Sequence, residues 1–179
     1  MKSGSSVLNE KNIILTGFMA TGKSAVGREL AGRLNRTLVD TDSLIEEMCS
    51  MTVEEIFSCC GEEYFRERES EAVARLDDYP AGSLVVSTGG GILLRQENRR
   101  RLVKNGLLVL LSASPREILR RALREGGRPL LEVPDPEERI RDLLARRKDI
   151  YSGAAVHVDT TNRTVSEVAS GIIEALRRL

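Results

Sequence analysis

The chain has 179 residues, of which 41% are hydrophobic and 30% charged, as expected for a single globular domain of roughly 100 to 200 residues. Its 27 Lys and Arg balance 27 Asp and Glu, and aromatic residues make up only 3%. The composition therefore argues against binding to nucleic acid or an anionic membrane. One histidine and three cysteines without a CxxC pair exclude histidine-pair chemistry and favour a reducing, cytoplasmic location. We expect a disordered tail over residues 1–11 and one domain over residues 12–179.

Short apolar runs alternate with helical patterns along the chain. The predicted strands cover residues 12–16, 37–39, 83–87, 107–111 and 155–158. The predicted helices cover residues 23–34, a segment after residue 42, 52–61, 62–78, 96–104, 114–124, 135–150 and a segment from 164 onward. This alternation predicts an α/β fold with three α/β/α layers and a five-stranded parallel sheet. In such a fold, ligands bind beyond the carboxyl ends of the strands.

Capping residues mark several of the predicted helix boundaries. Thr52 with Glu55 has the spacing of a capping box, and Thr164 begins the last helix in the same way. Ser114 followed by Pro115 predicts another helix start. The helix predicted over residues 96–104 ends at Gly106, where a C′ glycine commonly follows a helix.

Residues 17–24, with the sequence GFMATGKS, match the pattern G-x-x-x-x-G-K-[ST] and lie between a predicted strand and a predicted helix. We call this segment the phosphate turn. In this motif, backbone N–H groups and the helix N-terminus bind phosphate oxygens. Lys23 would reach the β- and γ-phosphates, and Ser24 would bind Mg²⁺. We expect ATP or GTP as the ligand. The alternative is an ordinary glycine turn with a lysine at the start of a helix.

Two carboxylates follow the second predicted strand. Asp40 and Asp42 lie two residues apart, at the edge of the sheet that also carries the phosphate turn. Asp40 could hold the metal ion, while Asp42 could orient and deprotonate an acceptor hydroxyl. Helix N-capping is the alternative role for either residue, and the neighbouring phosphate turn favours the functional one.

A run of three glycines, residues 89–91, follows the third predicted strand and leaves the backbone open to close approach by a small ligand. The alternative is a flexible loop. Among the basic residues, Arg66 could form a surface ion pair with Glu62 or Glu69, which lie at salt-bridge spacing on the same predicted helix. Arg147 could complement a helix dipole. Arg128 follows two glycines in a segment, residues 124–136, that is suited to a lid over a triphosphate.

Taken together, these segments resemble the shikimate kinase family over nearly the whole chain from Asn12 onward. The matching segments are GFMATGKS, the DTD at 40–42, EEYFRERE around Arg66, GGG at 89–91, GGRPLL and RRKDIY around Arg147. The resemblance implies a P-loop containing nucleoside triphosphate hydrolase fold. It also implies phosphorylation of the 3-hydroxyl of shikimate by MgATP, on the chorismate route to aromatic amino acids.

The resemblance also implies a role for each site residue. Asp42, Lys23 and Arg128 would be catalytic, with Asp42 as the base. The residues implied to bind ATP are Gly17, Ala20, Thr21, Gly22, Lys23, Ser24, Ala25, Arg121, Arg128 and Arg163. The residues implied to bind shikimate are Asp42, Arg66, Gly89, Gly90, Gly91 and Arg147. Ser24 and Asp40 would bind Mg²⁺. Apart from the resemblance, we expect a monomer, because no extended apolar stripe is left once the core positions are assigned.

The sequence departs from the family pattern at Ala20, where a second loop glycine is usual, and at Asp149, where proline is common. We expect Ala20 to be tolerated if its φ is negative. Two alternatives to shikimate phosphorylation stay open: another small-metabolite kinase of the same fold, such as a gluconate kinase or a nucleoside monophosphate kinase, and a catalytically silent nucleotide-binding module. Two acceptor-site arginines with an aspartate favour a hydroxy acid as the acceptor.

Overall fold

The computed structural model describes residues 10–125, 131 and 133–179. In these residues, one sheet of five strands is combined with eight α-helices. The strands are β1 Asn12–Gly17, β2 Thr37–Asp40, β3 Leu84–Ser87, β4 Gly106–Ser112 and β5 Val156–Asp159. The helices are α1 Lys23–Leu34, α2 Thr41–Cys49, α3 Val53–Cys59, α4 Gly61–Arg75, α5 Gln96–Asn105, α6 Pro115–Glu125, α7 Pro136–Tyr151 and α8 Val165–Arg177. Two 3₁₀ turns lie at Leu76–Asp78 and Ile92–Leu94.

All neighbouring strands of the sheet pair in parallel, in the order β2-β3-β1-β4-β5. The central strand β1 pairs with β3 through Ile13 and Val85, and with β4 through Ile13 and Leu107. Both β1 and β3 are buried along their entire length, as is typical of parallel strands covered on both faces. The predicted α/β fold with a five-stranded parallel sheet is confirmed.

Apolar clusters cover both faces of the sheet. On one face, α1 and α8 pack on the strands through the fully buried Leu30 and Ile172. On the other face, α4 and α5 contribute Val73 and Leu102. A third cluster, which includes Phe18, lies under the loop after β1 and joins it to α6 and α7. The carboxyl ends of the strands are therefore supported from both sides.

The capping predictions hold at most helix ends. Capping boxes are present at both Thr52 and Thr164, and the Ser114 hydroxyl accepts a hydrogen bond from the Glu117 N–H at 3.3 Å. Helix α5 ends at Gly106, as predicted, but this residue is extended with φ −164° instead of left-handed, and it also begins β4. A glycine is needed there for a different reason: a Cβ atom would lie 2.6 Å from the Asn12 carbonyl oxygen.

One predicted helix is shorter than expected. The segment predicted as a helix over 62–78 forms α4 and then tightens into the 3₁₀ turn Leu76–Asp78.

None of the helices in the described part of the chain has both the length and the apolar character needed to cross a bilayer. Of the predicted tail over residues 1–11, residues 1–9 lie outside the described residues. Of the predicted lid, residues 126–130, which include Arg128, and residue 132 lie outside them as well.

Candidate active site

The phosphate turn lies between β1 and α1, as the sequence predicts. Gly17 has φ +144°, and a Cβ atom there would lie 2.2 Å from the Leu111 carbonyl oxygen. The Thr21 hydroxyl and the Lys23 ammonium both donate to the Phe18 carbonyl oxygen, each at 2.8 Å. The turn is therefore closed on itself at the start of α1, which presents its N-terminal N–H groups to an anion.

Ala20 does not have the negative φ on which its tolerance was expected to depend. Its φ is +56°, in the left-handed region. A non-glycine residue in this region costs about 1–2 kcal/mol. The Ala20 carbonyl oxygen accepts a hydrogen bond from Arg121 Nη1 at 3.3 Å, which helps to hold the strained conformation. The turn thus adopts a conformation suited to glycine although alanine occupies the position.

Ser24 and Asp40 lie together at the edge of the sheet. The Ser24 hydroxyl donates to Asp40 Oδ2 at 2.9 Å and lies 3.3 Å from the Ser87 hydroxyl. Asp40 Oδ1 accepts from the Asp42 N–H at 3.1 Å and so caps α2. Asp40 therefore performs the alternative capping role and also faces the phosphate turn.

A hydroxyl and a carboxylate oxygen fit the ligand preference of Mg²⁺. No group of three or more His, Cys, Asp or Glu side chains that could hold a metal ion occurs among the described residues. Two protein ligands suit a Mg²⁺ ion that also binds water and nucleotide phosphates. The Ser24–Asp40 pair therefore fits a metal ion that arrives with the nucleotide.

The three-glycine turn after β3 is fixed to the start of α2. The Gly89 N–H donates to the hydroxyl of the fully buried Thr41 at 2.9 Å. A Cβ atom at position 89 would lie 2.5 Å from Asp42 Oδ1 and 3.4 Å from Glu69 Oε1. The absence of a side chain at Gly89 therefore leaves room for the Asp42 carboxylate beside the turn.

Arg66 reaches the same turn from α4. Its guanidinium group forms ion pairs with Glu69 at 2.7 Å and with Glu62 at 3.0 Å. The sequence suggested a surface ion pair as the alternative role of Arg66, but its side chain is only 15% exposed. A Cβ atom at Gly91 would lie 2.4 Å from Arg66 Nη1. The ion pairs thus hold Arg66 against the three-glycine turn.

Arg147 approaches the turn from α7. Its Nη1 donates to the Gly90 carbonyl oxygen at 2.9 Å, and its guanidinium carbon lies 5.2 Å from the centre of the Phe18 ring. This position is within the range of a cation–π contact. Arg147 therefore does more than complement a helix dipole: it bridges the phosphate turn and the three-glycine turn.

Glu69 is a site residue that the sequence analysis treated only as a partner of Arg66. Its side chain is 1% exposed, and its Oε1 has no hydrogen-bond partner among the described residues. Burial raises the pKa of Glu69; Arg66 opposes this shift, and the negative charge of Asp42 adds to it. The buried positions Phe65, Glu69 and Ala72 follow helical spacing, a signal that could have identified this carboxyl group.

A cavity of about 460 Å³ lies beside the phosphate turn, within the usual range of roughly 300–1,000 Å³ for ligand sites. Its lining contains the predicted nucleotide residues Ala20, Thr21, Gly22, Arg121 and Arg163. It also contains residues that the sequence analysis missed: Val26, Glu117, Arg120, Arg124, Thr160, Asn162, Thr164, Val165 and Val168. Arg120 and Arg124 share α6 with Arg121, so helical spacing could have indicated Arg124.

Arg121 joins three parts of this cavity. Its Nη2 donates to the Thr160 carbonyl oxygen at 2.8 Å, and its Nη1 donates to the Thr160 hydroxyl at 3.0 Å as well as to Ala20. Its Nε donates to Glu117 at 2.7 Å. Arg163 Nη2 donates to the Glu167 carbonyl oxygen at 3.1 Å. Both arginines therefore lie beside the cavity, and Arg121 is fixed there by four hydrogen bonds.

We expect Glu117 to make the folded state sensitive to acid. The Arg120 hydrogen bonds are the main cause that lowers the pKa of Glu117 from 4.5 to about 2, with Arg121 adding to the effect and burial opposing it. Because the folded pKa is depressed, this stabilisation is complete above pH 4.5 and is lost as the pH falls toward about 2. Urea unfolding across this range should show a smaller loss of stability for Glu117→Gln than for the unsubstituted protein. Parallel pH profiles would contradict this assignment.

We expect Gly91→Ala to weaken binding of the acceptor. The new Cβ atom would lie 2.4 Å from Arg66 Nη1, and the guanidinium group would have to leave its ion pairs to make room. Loss of one charged hydrogen bond between Arg66 and the acceptor, which contributes about 1.5–3 kcal/mol, corresponds to a rise of roughly 10-fold or more in the KM for the acceptor. Steady-state kinetics would measure this effect. Gly32→Ala is the control, because its new Cβ would meet no atom within 4 Å apart from its chain neighbours and the backbone of its own helix. Equal KM values in both variants would refute the expectation.

The fold and the site together define the class of the protein. Five parallel strands and a phosphate turn between the central strand and a helix are the architecture of P-loop kinases. A gluconokinase structure from Sinorhizobium meliloti shares this fold, with a TM-score of 0.61 and 16% identity over 95% of this chain and 93% of that chain.

More specific similarity comes from three findings. The sequence profile of the family described as shikimate kinase matches residues 19–177. A shikimate kinase from Caldanaerobacter subterraneus subsp. tengcongensis is 46% identical over 172 residues, which cover 94% of this chain and 98% of that protein. A structure of shikimate kinase from Acinetobacter baumannii in complex with shikimate has a TM-score of 0.86 and 35% identity over 96% of this chain and 95% of that chain. The chain belongs to the shikimate kinase family, and it is an ATP-dependent kinase.

Proposed function

We propose that the protein transfers the γ-phosphoryl group of ATP to the 3-hydroxyl of shikimate, which gives shikimate 3-phosphate and ADP on the chorismate route to aromatic amino acids. One observation carries this proposal: Asp42, Arg66 and Arg147 come from three different helices and meet at one three-glycine turn. The same turn lies beside the phosphate turn, because a Cβ atom placed on Gly90 would lie 3.6 Å from the Met19 N atom. The donor and acceptor groups can therefore meet there.

The acceptor side suits a small hydroxy acid. Arg66 and Arg147 offer two guanidinium groups, which bind a carboxylate through paired hydrogen bonds. Asp42 would accept the hydrogen bond of the 3-hydroxyl and take its proton as the oxygen attacks the γ-phosphorus. The three glycines 89–91 would let the ring of the acceptor lie directly against the backbone. The bond between the γ-phosphorus and the bridging oxygen breaks, and ADP leaves.

The donor side suits ATP. Residues 17–25 would surround the phosphates with N–H groups, and Lys23 would leave the Phe18 carbonyl oxygen to bind the β- and γ-phosphates. Arg121 and Arg163 would border the adenine in the adjacent cavity. Ser24 and Asp40 would hold Mg²⁺, which supplies charge neutralisation at the phosphates when bound. Arg128 completes the catalytic set proposed from the sequence, together with Asp42 and Lys23.

The test is ADP formation measured by a coupled assay with MgATP and a panel of acceptors. We expect ADP release to depend on shikimate and to be absent with gluconate or nucleoside monophosphates. Turnover with gluconate or a nucleoside monophosphate would instead support one of the related kinases. ATP binding without turnover on any acceptor would support a silent nucleotide-binding module. Omission of Mg²⁺ should abolish ADP release, and retention of full activity without a divalent cation would remove the metal from the proposal.

The assembly and location of the protein are separate proposals. We expect a monomer, because the sequence leaves no extended apolar stripe after the core positions, and a cytoplasmic location, because of the cysteine usage. Cys49, Cys59 and Cys60 are free thiols in the structure, which agrees with a reducing compartment. Sedimentation at micromolar concentration would measure the mass of the particle, and a dimer would contradict the expected state.

A further inference from the structure

Two adjacent cysteines lie at a sharp corner between helices, away from the three-glycine turn. Helix α3 ends at Cys59 and α4 begins at Gly61, so Cys60 terminates one helix and precedes the next. The Cys60 N–H donates to the Ile56 carbonyl oxygen at 2.9 Å, and Gly61 has φ +81°. The backbone that carries both thiols is therefore fixed by the two helix ends.

The corner brings the two sulfur atoms together. Side chains of consecutive residues in a regular helix point in different directions and do not face each other. Here, Cys59 Sγ and Cys60 Sγ are only 2.8 Å apart, and both residues are exposed. The two thiols thus form a preorganised pair that a reagent in solution can reach.

The contact between the two sulfur atoms favours the protonated form of Cys60. The hydrogen bond with Cys59 is the main cause that raises the pKa of Cys60, and burial and the charges of Cys59 and Cys49 act in the same direction. The Cys60 thiol therefore suits a reagent that reacts with the protonated group.

The backbone geometry disfavours a disulfide between the two residues. Consecutive Cα atoms across a trans peptide lie about 3.8 Å apart, whereas disulfides usually join Cα atoms about 4.4–6.8 Å apart. No cis peptide bond occurs among the described residues. A single larger atom bound to both sulfurs can be accommodated without closing a sulfur–sulfur bond. Soft elements are the preferred partners of cysteine sulfur.

We propose that Cys59 and Cys60 form a dithiol site for trivalent arsenicals. An arsenoxide bound to one organic group reacts with two thiols: two arsenic–sulfur bonds form, the arsenic–oxygen bonds break, and the two thiol protons leave with the oxygen as one water molecule. Arsenic stays trivalent and sulfur is not oxidised, so no oxidant or reductant is needed. The chelate should bind far more tightly than a single thiol, because the second bond forms within the same molecule.

Cys49 provides a control within the same chain. It ends α2 and is only partly exposed. Its charge and a hydrogen bond from it raise the pKa of Tyr64. The proposed site consists of the adjacent pair alone. Cys49→Ser should therefore leave arsenical binding unchanged, whereas Cys59→Ser and Cys60→Ser should each abolish the chelate.

The experiment is a titration of the fully reduced protein with phenylarsine oxide. We expect one equivalent to bind and the number of thiols that react with a colorimetric reagent to fall from three to one. Intact mass spectrometry should show one phenylarsenic group in place of two hydrogens. Excess glutathione should not release the group, but 2,3-dimercaptopropanol should. Cys59→Ser and Cys60→Ser should bind at least about 100-fold more weakly.

Two results would overturn the proposal. The first is binding that glutathione reverses, because this would indicate attachment to a single thiol. The second is loss of tight binding in Cys49→Ser, or its retention in Cys59→Ser, because the adjacent pair would then not be the site. Circular dichroism and shikimate-dependent ADP formation would verify that each variant is folded; since all three substitutions lie outside the proposed catalytic groups, both readouts should match the unsubstituted protein.

Discussion

Substitution of Asp42 with asparagine should lower kcat for shikimate phosphorylation by about 100-fold or more, the usual contribution of a positioned general base. Asparagine keeps the size of the side chain but cannot take the proton of the acceptor hydroxyl. The Asp42 carboxylate lies beside Gly89 at the edge of the three-glycine turn, whereas the phosphate turn is built from other residues. The affinity for ATP, measured by calorimetry, should therefore stay within about twofold of that of the unsubstituted protein, because the substitution leaves the phosphate turn in place.

Glu47→Gln is the matched control for Asp42→Asn. Glu47 lies on the same helix, α2, and its side chain is exposed, so the substitution makes the same change in charge without touching the turn. We expect its kcat to be unchanged. If Asp42→Asn retained normal turnover, or if both variants lost activity equally, Asp42 would not be the base.

Substitution of Arg147 with methionine should raise the KM for shikimate by roughly 10- to 150-fold, the equivalent of one charged hydrogen bond of about 1.5–3 kcal/mol. Methionine can still pack against the Phe18 ring, as sulfur commonly does with aromatic rings, but it cannot bind a carboxylate or the Gly90 carbonyl oxygen. Because the lost contact is made to the bound acceptor, kcat should fall much less than kcat/KM. Initial-rate kinetics at saturating ATP would measure both parameters.

The neighbouring Arg146→Met provides the control for the loss of a positive charge from α7. Arg146 is exposed, whereas Arg147 is half-buried. A general electrostatic effect of the helix would raise KM similarly in both variants, while the proposed contact requires a large rise in Arg147→Met alone. Equal effects would contradict the assignment of Arg147 to the carboxylate of the acceptor.

The fold and the backbone of the site were largely predictable from the sequence. The strand before Gly17 and the helix after Lys23 have strong apolar periodicity, and the turn between them requires glycines. Asp40 and Asp42 follow a strand, so the topology alone places them at the edge of the sheet. Capping boxes such as Thr52 with Glu55 depend only on local hydrogen bonds, which explains why they were located to the residue.

The sequence was less informative where a conformation depends on distant contacts. The residues around Ala20 give no indication that its φ is positive. The hydrogen bond that its carbonyl oxygen accepts comes from Arg121, about one hundred residues away in the sequence. Gly106 matched the pattern of a helix cap, but the adjacent Asn12 carbonyl oxygen is what requires a glycine there. The sequence placed Glu69 in a surface ion pair, because this helix carries many acidic residues and their pattern does not show which of them is buried. In the structure, Glu69 lies on the buried face of α4.

The segment at the start of α2 has a further consequence for how the site can move. Asp40 faces Ser24, Thr41 binds the Gly89 N–H, and Asp42 lies against the same turn, so three consecutive residues connect the proposed nucleotide side to the proposed acceptor side. The distance between these two groups of residues is therefore set by the covalent geometry of the three residues. This segment acts as a fixed reference point, and alignment of the reacting groups requires the substrates to adjust to it.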